Sequence, residues 1–308
     1  MKPKTLISVI MPCYNAGKYV GGAIESILGQ SLQNFELIII NDGSKDNSHQ
    51  EIFRYKDNRI KYIPFSKNIG NYPARNAGIS IAEGKYICVM DADDIAYENR
   101  LQLQYDYLES NPRTGAIGGQ GKIINNNGEL TGKLTNPVVP FRQLQVLLLM
   151  NNFVAHPTFM IRASLVRKYQ LRYDENYFYA SDFDFISRCC TLFPVQNIDH
   201  ELIQYRHHSQ QISSKHHAMQ VEYADRIRLS QLKFHNFELS NEEKRIYLQL
   251  MKRMAFSSKE ELTEGLNLLN KLMKQNLRLR AFNQKFLFGF FDYVLAIAQE
   301  KMIVGNVS

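Results

Sequence analysis

Three short clusters carry the chemistry this sequence offers: Pro12-Cys13-Tyr14-Asn15, Asn41-Asp42-Gly43-Ser44 and Asp91-Ala92-Asp93-Asp94. Each follows directly on a short apolar run. An aromatic ring and a carboxylate at neighbouring strand ends could hold a nucleobase, the ring by stacking and the carboxylate by accepting an imide N–H. Asp42-Gly43-Ser44 also reads as a turn that caps the next helix. In Asp91-Ala92-Asp93, positions i and i+2 of an extended segment point the same way. The two carboxylates then converge and raise each other's pKa. A hard divalent cation relieves that repulsion, and a diphosphate can complete its coordination shell. Asp94 is also well placed to cap the following helix.

The elements that must position these clusters are visible as alternating periods. Residues 6–11, 35–40, 60–65 and 86–90 are short β-branched or aromatic runs that read as buried strands. Residues 19–28, 47–55 and 73–82 read as helices between them. Alternation of this kind implies βαβ units and a mostly parallel sheet, whose ligands sit at the carboxyl ends of the strands. Further along, 99–108, 141–150 and 182–193 read as helices. Residues 116–124, 153–161 and 197–205 read as strands, with a hairpin-type turn at 125–128. From about residue 214 the pattern is helical only, over 221–234, 241–256, 259–275 and 280–301. The expected organisation is therefore an α/β domain over 1–213, in halves of about 1–112 and 113–213, and an all-α extension over 214–308.

Composition narrows the class. The 308 residues are 44% hydrophobic and 22% charged, which excludes a disordered or collagenous chain. The net charge of +7 favours anionic partners, and 15 Lys/Arg against 10 Asp/Glu between residues 215 and 301 place most of it in the helical extension. The N-terminus runs directly into a strand-like segment, and residues 286–298 contain Asp292 and fall short of the roughly 20 residues that span a bilayer. The four cysteines form no C-x-x-C pair and lie in apolar runs, so buried thiols and a cytoplasmic location are expected. A dinucleotide fingerprint is missing after the first strand, where the chain reads Pro12-Cys13-Tyr14-Asn15-Ala16-Gly17. A nucleic-acid role would rest on charge alone, with no module behind it.

Seven motifs in order make a sharper statement. They are S-V-I-M-P-C-Y-N (8–15), N-D-G-S-K-D-N-S (41–48), N-I-G-N-Y-P-A-R-N-A-G-I (68–79), G-K-Y-I-C-V-M-D-A-D-D (84–94), His156 to Arg162, Tyr173-Asp174-Glu175 with Ala180-Ser181-Asp182-Phe183-Asp184, and Tyr205-Arg206-His207-His208. From about residue 5 to 213 the chain resembles the family 2 inverting glycosyltransferases of GT-A fold. The resemblance implies that Pro12, Tyr14 and Asp42 hold the uracil of a UDP-sugar and that Arg75 faces the nucleotide. Asn15, Asn68 and Ala92 fall in the same motifs and complete the nucleotide-sugar set. It implies Asp91 on the ribose or metal side, Asp93 as a direct ligand of Mn²⁺ or Mg²⁺, and Asp182 as the general base. His208 reads either as a further metal ligand or as a surface residue at a loop start. His156 and Ser181 would lie on the acceptor side. Ser181 stands where the family usually has Glu, and Ile186 where it often has Trp.

The expected function is metal-dependent transfer of a hexose or N-acetylhexosamine from a UDP-sugar to a growing glycan, such as a capsule or lipooligosaccharide. The nearest pattern is that of β-1,3-N-acetylhexosaminyltransferases. The competing reading is a degenerate sugar-nucleotide-binding or scaffold protein. In the extension, Lys271, Lys274, Arg278, Arg280 and Lys285 interleave with leucines and are followed by phenylalanines. That composition fits either helices lying on anionic lipid or a bundle with a solvated basic face.

Overall fold

The computed structural model describes residues 5–208 and 217–305. The chain divides into two compact units, residues 1–139 with 154–217, and residues 140–153 with 218–308.

The first unit opens with β1 (Ile7–Cys13), α1 (Val20–Leu28), β2 (Phe35–Asn41), α2 (Ser48–Phe53), β3 (Ile60–Pro64), α3 (Asn71–Ser80) and β4 (Tyr86–Val89). β1 pairs in parallel with both β2 and β4, and β3 joins the outer edge of β2 in parallel. β1 and β2 are buried along their whole length. That is why they read as unbroken apolar runs rather than alternating ones. The unit continues through β5 (Ile95–Ala96), α4 (Arg100–Ser110), β6 (Ala116–Ile124) and β7 (Leu130–Leu134). The strand order is β3-β2-β1-β4-β8-β6-β9-β5, with β7 on β6, where β8 is Met160–Arg162 and β9 is Val195–Arg206. β8 runs antiparallel to both β4 and β6, whereas β9 is parallel to β6. The parallel half thus carries the first three clusters, and the mixed half brings β9 and its exit toward them.

The strand expected over 153–161 shrinks to β8. Ahead of it, His156–Thr158 forms one turn of 3₁₀ helix. Pro157 has no N–H to offer a ladder. The Thr158 hydroxyl donates to the Ala155 carbonyl at 2.6 Å and accepts from the Gly119 N–H at 2.9 Å, which locks the turn. Arg100, fully buried at the start of α4, donates to the carbonyls of Val89 (2.7 Å) and Pro157 (2.6 Å). It ties the end of β4 to this turn.

The second unit contains α5 (Phe141–Leu147), α8 (His217–Phe234), α9 (Asn241–Met251), α10 (Lys259–Leu279) and α11 (Gln284–Gly305). The helices α6 (Ala163–Lys168) and α7 (Ser181–Leu192) remain in the first unit. The sequence places the segment around α5 in the half over 113–213, but α5 packs with the C-terminal helices. The last carbonyls of a helix lack intrahelical partners. Those of Leu148, Leu149 and Met150 accept from Gln231 (2.8 Å), Tyr247 (3.3 Å) and Arg228 (2.8 Å). Val146, Leu149 and Met150 join Tyr247, Leu268 and Phe290 in one apolar core. The boundary expected near residue 213 lies outside the described residues. No described helix is long and apolar enough to cross a membrane. All four cysteines are buried and none is in a disulfide.

Candidate active site

The ends of β1, β2 and β4 converge as the parallel register requires. Cys13 stands beside Asn41, and the Asp42 N–H donates to the Cys13 carbonyl at 2.8 Å. Pro12 is buried within β1, and Tyr14 beyond it is 47% exposed. Asn15 takes a left-handed backbone, φ 50°, and its side-chain oxygen accepts from the Lys45 N–H at 2.8 Å. This links the loops that follow β1 and β2.

Asp42 is only 1% exposed. Its carboxylate accepts from the Asn68 amide at 2.9 Å and from the backbone N–H groups of Ile69 (2.7 Å) and Gly70 (2.9 Å). It is the hub that holds loop 68–70 at the entrance of α3. Gly43, at φ +67°, lets the chain pass: a Cβ there would lie 2.4 Å from the Lys67 carbonyl carbon.

Asp91, Asp93 and Asp94 bring ligand atoms within 4.8 Å of one another. His208 Nε2 lies 2.9 Å from Asp93 Oδ2. Asp94 does not cap α4. One of its oxygens accepts from the Arg206 N–H of β9 at 2.8 Å, and the other, Oδ2, is buried with no hydrogen-bond partner. Ala92 is buried between the acids. Burial pushes the Asp94 carboxyl well above the usual range, and Asp93 and Asp91 push the same way. Burial also raises Asp91, with the Arg75 guanidinium opposing it and Asp93 adding to it. Three hard oxygen donors, one imidazole and an orphaned buried oxygen fit a divalent cation of the Mg²⁺ or Mn²⁺ kind.

Arg75 is 2% exposed and pairs with Asp91. Its guanidinium also lies over the Tyr72 and Tyr173 rings. Asp182 lies in the first turn of α7, near enough to Asp91 to raise it further. Tyr72 donates to Asp182 Oδ1 at 3.4 Å. Asp184, two residues on, is held by Arg188 at 2.6 Å.

Both residues expected on the acceptor side are buried and hydrogen-bonded within the protein. Ser181 is 0% exposed, and its hydroxyl donates to the Asp174 carbonyl at 2.9 Å. His156 is buried against the Tyr173 hydroxyl at 2.7 Å. Burial, with help from Arg75, keeps its imidazole pKa well below the usual value, so it is neutral. Tyr72, Tyr173 and Arg206 stand in the sequence motifs, but motif reading gives them no role; Tyr72 sits three positions before Arg75 in α3 and so shares its face.

The family described as glycosyl transferase family 2 matches residues 8–170. An uncharacterized glycosyltransferase of Haemophilus influenzae is 33% identical over 239 residues, covering 75% of this chain and 74% of that protein. An Escherichia coli UDP-Glc:α-D-GlcNAc-diphosphoundecaprenol β-1,3-glucosyltransferase is 36% identical over 132 residues, 43% of this chain and 51% of that one. Among solved structures, Staphylococcus aureus TarS 1–349 in complex with UDP-GlcNAc superposes with a TM-score of 0.62 at 19% identity, covering 96% of this chain and 90% of that one. The chain belongs to glycosyl transferase family 2 and is a glycosyltransferase of GT-A fold.

Proposed function

We propose that this glycosyltransferase moves a hexose or N-acetylhexosamine from a UDP-sugar to a hydroxyl of a growing surface glycan, by a single displacement with Asp182 as the base. The observation that carries the reading is the meeting of an acid cluster, Asp91-Asp93-Asp94 with His208, and a separate carboxylate, Asp182, at the ends of the parallel strands. Two related proteins support the donor class: the E. coli relative is named for UDP-Glc, and TarS was solved with UDP-GlcNAc.

In this reading Tyr14 stacks on the uracil. Asp42 accepts its imide N–H: a carboxylate offers about four acceptor sites, and three are used by loop 68–70. Pro12, Asn15 and Asn68 shape the same pocket. Asp93, Asp91 and His208, with Asp94 beside them, would hold Mn²⁺ or Mg²⁺, which when bound neutralises charge on the departing UDP. Arg75 holds Asp91 in place. Asp182 takes the proton of the acceptor hydroxyl as that oxygen attacks the anomeric carbon. Attack opposite the leaving group inverts the centre, so an α-linked donor gives a β-linked product. The acceptor is lipid-linked, and the second unit meets anionic lipid. Leu277 and Phe288, each 63% exposed, stand among Lys274, Arg278, Arg280 and Lys285.

Asp182→Asn tests the base. It should keep UDP binding within about threefold and lose at least about a hundredfold in turnover, as removal of a general base does. An Asn variant that turns over like wild type rejects the assignment.

A further inference from the structure

Tyr72 is a buried phenol, 8% exposed, whose hydroxyl is aimed at Asp182 Oδ1. Its ring lies on that of Tyr173, with centroids 5.6 Å apart and planes 26° off parallel. Tyr173 in turn stacks on Phe185 at 4.3 Å and 19°. Phe185 follows Asp182 by three positions in α7, on the same helix face. The three-ring stack therefore joins α3 to the helix that carries the base. Tyr173 is itself pinned. His156 meets its hydroxyl, and Asn76 exchanges two 2.9 Å hydrogen bonds with its backbone. The Arg75 guanidinium lies 5.7 Å from the Tyr72 ring and 5.9 Å from the Tyr173 ring, which adds a cation–π contact on each.

We propose that Tyr72 is a positioning residue of the base: its hydroxyl donates to Asp182 and, with its ring locked in the stack, restricts the rotation of that carboxylate. The proposal rests on Asp182 being the base. An Asp carboxylate turns easily about its terminal torsion, where the energy wells are broad. A donor anchored through three rings removes that freedom. Burial, with the Asp182 charge adding to it, raises the Tyr72 pKa well above its ordinary value. The phenol therefore stays protonated and remains a donor. The other ionisable groups facing Asp182 are Arg75, Asp91, Tyr173, Asp184 and Tyr205.

Tyr72→Phe keeps the ring and the stack and removes only the hydroxyl. UDP release would be followed with UDP-Glc, UDP-Gal, UDP-GlcNAc and UDP-GalNAc, taking the donor that wild type turns over fastest. The expected result is a kcat lowered about tenfold, the value of one hydrogen bond to a charged group. KM for the donor should stay within about twofold. A purely structural tyrosine predicts no change, because Phe packs the same way. An unchanged kcat overturns the proposal. Asp182→Asn separates the two ideas. If it is inactive while Tyr72→Phe equals wild type, only the role of Tyr72 falls. If it is active, the base assignment falls and the positioning role with it.

Discussion

Asp42→Asn is the substitution whose consequences follow most directly from the geometry. The native carboxylate accepts three hydrogen bonds, from Ile69 N–H at 2.7 Å on one oxygen and from Gly70 N–H and Asn68 Nδ2 at 2.9 Å on the other. An amide keeps one oxygen and replaces the other with an NH₂ group. Whichever way it turns, at least one backbone N–H then faces a donor. Hydrogen bonds to a charged group contribute about 1.5–3 kcal/mol, and the expected loss of stability is of that size. At about 2–4 °C per kcal/mol for a domain of this size, melting of the first unit should fall by roughly 3–12 °C. Loop 68–70 leads into α3, so its release should also weaken UDP binding by about tenfold, or 1.4 kcal/mol. Thermal unfolding by circular dichroism and titration calorimetry with UDP measure the two effects on one preparation. A variant that melts within about 1 °C of wild type would show that the carboxylate is not the hub of that loop. A variant that melts early yet binds UDP as wild type does would remove Asp42 from the uracil site.

Two further predictions concern other parts of the molecule. His156 is neutral in the fold because burial, with Arg75, lowers its pKa well below 6.5. Below about pH 6.5 the unfolded chain therefore binds a proton that the folded chain does not, and stability falls with pH by about 1.4 kcal/mol per unit from this group. In His156→Gln that slope should vanish from denaturant titrations between pH 7 and 5.5, while the similar contribution of His235 remains in both proteins; identical slopes would refute it. For the second unit, replacing Leu277 and Phe288 together with Asp should cut sedimentation with phosphatidylglycerol vesicles at least about tenfold and leave melting within about 2 °C, because both side chains are mostly exposed. Binding equal to wild type, or no binding by either protein, rejects the lipid surface.

What could be read from the sequence follows the range of the forces involved. Strand ends were legible because an apolar run stops where the strand leaves the core, and that is a local event. Tyr14, Asp42 and the Asp91–Asp94 cluster were found in this way. The state of the side chains was not legible. Ser181 and His156 sit in motifs that suggest contact with a ligand, yet their surroundings come from Asp174 and Tyr173 and bury both. Arg100 gives no sign of being a core residue until Val89 and Pro157 present carbonyls to it. Helix periodicity around residues 141–150 showed that one face is buried, but not which partner buries it. The carbonyls of Leu148 and Met150 decide that, through Gln231 and Arg228 some eighty positions later. Arg75 likewise gives no sign in the sequence of the Asp91 carboxylate that it pairs with.

The most direct test of the account is UDP release by the intact chain from UDP-Glc, UDP-Gal, UDP-GlcNAc and UDP-GalNAc, with Mn²⁺ and after chelation. The account predicts release from at least one donor, lost on chelation and restored by Mn²⁺ or Mg²⁺, through Asp93, Asp91 and His208. Absence of release from every donor, or a rate indifferent to chelation, would contradict it.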